Sequence, residues 1–100
     1  MKYLIISRPG ESVARDVTHE KLQKGRQMLQ DGIDKGIVEG AYTLVGGGSV
    51  WIVNAESHES LARALRKLKL VGTHHVEVHP ILDTREVMDA YETQMQREKA

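Results

Sequence analysis

Residues 46–82, GGGSVWIVNAESHESLARALRKLKLVGTHHVEVHPIL, decide the fold of this chain. The glycine triplet Gly46–Gly48 reads as a turn, and Ser49–Ala55 follows as a strand. Ser57 is a good N-cap, with Glu59 in the first turn of a helix. Leu61, Leu65 and Leu68 recur at i, i+4 and i+7, which makes one buried face. Arg63, Arg66, Lys67 and Lys69 crowd the end where the helix dipole favours cations, so they read as a solvated face. Gly72 stops the helix. Thr73–His79 reads as a further strand, closed by Pro80. The triplet leads into a strand and not into a helix N-terminus, so it lacks the geometry of a phosphate cradle.

Before this stretch, Tyr3–Ser7 has strand length and character, and Arg8-Pro9-Gly10 ends it. Residues 11–17 read as a loop. A helix is predicted over 18–35, with Thr18 as N-cap and Gly36 as stop. Leu22, Gly25, Leu29, Gly32, Ile33 and Gly36 fall on one stripe of it. The two interior glycines fit either close packing on a sheet or room for a ligand above it. Residues 37–45 form the next strand, paired with 49–55 as a hairpin. After the stretch, Asp83–Ala100 reads as a helix, opened by Asp83 with Glu86 three residues on. Val87, Met88, Tyr91 and Met95 give it an apolar stripe.

The order is β-α-β-β-α-β plus a final helix: an α+β, ferredoxin-like fold with a four-stranded antiparallel sheet. Residues 1–82 form that domain. Residues 83–100 form a C-terminal helix that docks on its own or a neighbouring subunit. The first and third strands are central and apolar on both faces (Tyr3 and Ile5, Leu4 and Ile6; Trp51 and Val53, Val50 and Ile52). Helices cover only one face of such a sheet. The simplest cover for the other is the same sheet of a second copy, so a homodimer or higher homo-oligomer is expected.

Composition narrows the function classes. The 100 residues carry 14 Lys plus Arg against 14 Asp plus Glu. A protein that rides on phosphate backbones is normally basic, so nucleic acid is not expected as a partner. Without cysteine there is no disulfide, thiolate nucleophile or thiolate metal site. The apolar run near the start is too short for a signal core or membrane span. A soluble, cytoplasmic protein with no membrane partner is expected.

Residues 36–82 resemble muconolactone isomerase and its relatives among the dimeric α+β barrels. The likeness rests on Gly36 closing the first helix and Gly46 in the hairpin turn. It continues through Val50-Trp51-Ile52-Val53, the Ser57…Leu61…Leu65…Leu68-Lys69-Leu70 helix, and Val76-Glu77-Val78-His79-Pro80-Ile81-Leu82. The resemblance implies a cofactor-independent proton shift on a small lactone-like or oxygenated metabolite. It also implies an oligomer whose C-terminal segments reach neighbouring subunits. Family members tend to carry Leu-Pro-Leu where Leu68-Lys69-Leu70 stands, and a histidine near Gly40. The acid/base set is therefore sought among the chain's own residues.

Such a reaction needs a base, an acid and a donor to stabilise an enolate. His19 and His74 are the catalytic candidates, and Arg26, Tyr42 and Trp51 the substrate-binding ones. His19 flanks the inward stripe of the first helix, or is a surface histidine beside the cap. Arg26 lies on the same flank, to hold a carboxylate or make a surface ion pair. Tyr42 and Trp51 line a pocket or pack the core. His74 shares its strand face with Val76 and Val78, as a site residue or a satisfied core histidine. His75, Glu77 and His79 share the opposite strand face. Neighbours two apart, about 7 Å, could share a metal ion, but nothing completes the shell and no metal is expected. His58 reads as a solvated first-turn residue. The other readings of the fold are a cofactor-free monooxygenase or cyclase on an aromatic substrate, and a non-catalytic oligomeric binding module.

Overall fold

The computed structural model describes residues 1–10, 18–67 and 74–99. Its elements are β1 (Lys2–Pro9), α1 (His19–Asp34), β2 (Val38–Thr43), β3 (Ser49–Asn54), α2 (His58–Lys67), β4 (His74–Ile81) and α3 (Thr84–Lys99). The strands form one antiparallel sheet in the order β2-β3-β1-β4, the ferredoxin-like arrangement. The loop over 11–17, Leu68 to Leu70, the Gly72 stop, Thr73 and Ala100 lie outside the described residues.

Local chemistry sets the helix ends. The Thr18 hydroxyl accepts from the Lys21 N–H at 3.1 Å, and Ser57 Oγ accepts from the Ser60 N–H at 3.1 Å. Asp83 Oδ1 accepts from the Arg85 N–H at 2.8 Å. Each supplies a partner for an N–H that the helix leaves unpaired. Helix α1 closes with Gly36 at φ +73°. The Ile37 N–H then donates to the Gly32 carbonyl and the Gly36 N–H to the Ile33 carbonyl, the paired bonds of a Schellman ending. In the β2–β3 hairpin the positive φ values fall at Gly47 and Gly48. A Cβ on Gly48 would lie 2.5 Å from the Ser7 carbonyl oxygen, so the hairpin end closes against β1 only through glycine.

Two strands run past the proline expected to end them, and β2 stops at Thr43, short of the expected Val45. β1 continues through Pro9, and β4 continues through Pro80 to Ile81. Proline is tolerated in both places because no ladder bond is forfeited. β4 is an edge strand, and Pro9 lies beyond the last β1–β3 pair, Ser7 with Ser49.

The core lies on one side of the sheet. Tyr3, Ile5 and Val53 are buried there with Leu61 and Leu65 of α2, and Val38, Trp51, Ala55 and Val76 pack around them. Burying one leucine contributes roughly 1.5–3 kcal/mol. Helix α1 approaches β2 closely at Gly32, where an added Cβ would lie 2.8 Å from Val38 Cγ2. Gly25 has nothing within 4 Å of that position. Helix α1 buries no residue, and Leu22, Met28 and Ile33 stay exposed.

The other side of the sheet carries Lys2, Leu4, Ile6 and Arg8 of β1, Val50, Ile52 and Asn54 of β3, and His75, Glu77, His79 and Ile81 of β4. Leu4, Ile6, Val50 and Ile52 form its half-buried apolar centre. β2 bulges between Val38 and Gly40, where its pairing with β3 slips by one residue. Helix α3 buries nothing and exposes Met88, Tyr91 and Met95. Its 16 residues span about 24 Å. The described residues extend 63 Å along the longest axis, with a radius of gyration of 17.4 Å. A compact 100-residue domain has about 13 Å.

Candidate functional site

The strand registers sort the candidate residues by side of the sheet. Trp51 stands opposite Ile5 and Ala41, on the side of α2. It is half-buried, and its Nε1–H donates to Ser49 Oγ at 2.9 Å. His74 opens β4 opposite Pro9, on that same side, and is half-buried. Tyr42 stands opposite Val50, on the far side, 65 % exposed. His19 and Arg26 are exposed positions of α1. Trp51 and His74 thus share a side, and Tyr42 is separated from them by the sheet.

Sequence reading did not single out Ser7 or Ser49. Ser7 is the one buried polar residue among those described, at 3 % exposure. It stands opposite Ser49 on one side and Val76 on the other. His74 is its diagonal neighbour, a spacing of about 7–8 Å. Thr43 extends the row through Ser49. The end of the core side nearest Pro9 therefore carries His74, two serines, a threonine and the Trp51 indole. The signal for Ser7 was present: it continues the inward alternation of Tyr3 and Ile5. A half-buried imidazole near hydroxyl groups supplies a proton acceptor and hydrogen-bond donors, the groups an enolate-forming reaction uses.

The opposite end of the core side is occupied by structure. The Tyr3 hydroxyl lies 2.6 Å from His58 Nδ1, and the rings meet edge to face at 5.6 Å. His58 is exposed in the first turn of α2, as its reading as a solvated residue expects, and its Nδ1 also partners the buried Tyr3 hydroxyl. Two open grooves, each about 280 Å³, lie at the β4–α3 junction, away from the His74 row.

The far side of the sheet holds paired charges. Lys2 Nζ lies 3.0 Å from Glu39 Oε2, and Asn54 Nδ2 donates to Glu39 Oε1 at 2.9 Å. Asn54 and then Lys2 hold the Glu39 carboxyl below its ordinary range, and Glu39 raises Lys2. Arg8 Nη1 lies 3.7 Å from Glu77 Oε1, and His79 Nε2 lies 3.3 Å from Glu77 Oε2. Among the described residues no three His, Asp or Glu side chains cluster as a metal site, and no helix is long and apolar enough to cross a membrane. Compared with known proteins, the chain matches no family model and no curated sequence.

Proposed function

We propose that the chain is a cytoplasmic, cofactor-independent isomerase of the muconolactone isomerase type. It moves a proton on a small lactone-like or oxygenated metabolite and works as a homodimeric α+β barrel. The observation that carries this reading is the half-buried His74 beside the Ser7–Ser49 row, on the same side of the sheet as Trp51. His74 is the proton acceptor in this reading, and the hydroxyls stabilise the oxyanion that forms.

The dimer is supported by the far side of the sheet. Its apolar centre of Leu4, Ile6, Val50 and Ile52 is flanked by charges already paired within the chain. A face that is electrically balanced fits a second copy of itself better than a charged partner. The test of the chemistry is solvent deuterium exchange into unsaturated lactones. Exchange by the wild type, lost in His74→Ala with the far-UV spectrum unchanged, supports the isomerase; no exchange by the wild type overturns it.

A second reading rests on α3, whose apolar stripe buries nothing. In it the chain is a non-catalytic oligomeric module held by that helix. Truncation after Leu82 would then dissolve the oligomer, with no exchange activity at any stage.

A further inference from the structure

We infer that pairing of two copies through the far side of the sheet is switched by pH, through His75 and His79. This inference rests on the dimer reading above and concerns its regulation.

Both histidines stand on that side of β4, which pairs only with β1. His75 faces Arg8, and His79 faces Leu4 at the edge of the apolar centre. The charged groups around them are few. Arg8 and Lys2 come from β1, Glu77 from β4 itself, and Glu39 from the β2 bulge. Asp83 and Glu86, at the start of α3, act on Lys2 from the far end, and Asp83 is already held by Arg85 at 3.1 Å.

The strand charges cancel only while the histidines are neutral. Lys2 pairs with Glu39 and Arg8 with Glu77. Protonating His75 and His79 adds two positive charges to each copy. Glu77 is the near carboxylate for His79, and it already lies within 4 Å of Arg8. His75 meets another cation, Arg8, across the strand pair. Two facing copies would then bring four uncompensated charges beside a shared apolar seam. Like charges brought together in a desolvating interface oppose assembly. The assembled state holds fewer protons than the separated copies, so assembly strengthens as pH rises and weakens as it falls through the range where histidine gains charge.

The test is sedimentation velocity of the full chain at pH 8.0 and 5.5, with far-UV circular dichroism at each pH. A dimer at pH 8.0 whose dissociation constant rises roughly tenfold or more at pH 5.5 is the expected result. The doubly substituted His75→Gln, His79→Gln chain should keep its dissociation constant at both. A wild-type dimer equally tight at both pH values overturns the switch and leaves the dimer standing. A double variant that weakens in acid as the wild type does also overturns the switch alone. A wild-type chain monomeric at both pH values overturns the dimer reading and the switch with it.

Discussion

The Tyr3 hydroxyl lies 2.6 Å from His58 Nδ1 and joins the start of the central strand β1 to the first turn of α2, 55 residues away. Tyr3 is 1 % exposed, so its hydroxyl has little access to water and relies on that partner and on Met1 Sδ at 3.5 Å. Tyr3→Phe keeps the ring and removes the bond. It is expected to cost about 1 kcal/mol and to lower the melting temperature by about 4–8 °C. Thermal and urea unfolding of the variant check this. An unchanged midpoint would mean the bond contributes nothing net.

Leu65 is buried against the same part of the core. Leu65→Ala removes three carbons where α2 meets the sheet and leaves a cavity. A loss of roughly 2–5 kcal/mol is expected. For a domain this size that is a large share of the total, so the variant is best measured by urea titration at low temperature.

The two interior glycines of α1 should answer in opposite directions. Gly25 has open space where a Cβ would go, so Gly25→Ala is expected to stabilise by about 0.5–1 kcal/mol. Gly32→Ala drives a methyl to 2.8 Å from Val38 Cγ2 and is expected to destabilise. Urea midpoints of the pair decide it, and a stabilised Gly32→Ala would show that α1 shifts freely on β2. If Gly25→Ala folds better but loses lactone exchange, the space above Gly25 belongs to the ligand.

Glu39 lies below its ordinary value of 4.5 because of Asn54 first and Lys2 second. A carboxyl lowered by folding adds stability above 4.5, which is lost as pH falls through its folded value. Lys2 is raised above 10.5, chiefly by its hydrogen bond to Glu39. Its share is present below 10.5 and lost as pH rises through the folded value. Both groups are exposed, so the effect is small and weakened by salt. Glu39→Gln should lower the urea midpoint at pH 7 in dilute salt, with the difference closing in acid. A gap that persists after the carboxylate is protonated would point to packing and not charge.

Much of the fold was legible because local signals agreed. Thr18, Ser57 and Asp83 cap where capping residues should, Gly36 closes α1, and Leu61 and Leu65 face the core. The strand ends at Pro9 and Pro80 were not legible, because the cost of proline depends on whether a neighbouring strand needs its N–H. Only the assembled sheet settles that. In the candidate site, His74 and Trp51 were readable by alternation. Ser7 follows the inward alternation of Tyr3 and Ile5, but alternation marks a buried position and not a site residue. The His58 partnership was hidden because its other half lies 55 residues away.

The bulge in β2 carries a consequence for Tyr42. Counting by twos from Val38 puts Tyr42 in Val38's company, among the helices. The slip between Val38 and Gly40 inverts that parity, so Ala41 and Thr43 go inward and Tyr42 goes outward. Gly40 accommodates the change: the Tyr42 ring lies where a Cβ on Gly40 would be only 3.0 Å from Cε2. A single inserted residue thus sorts an aromatic side chain between two compartments of the molecule. Deleting Glu39 would restore strict alternation with Val38 still inward and Tyr42 still outward, and would remove the carboxylate that pairs with Lys2.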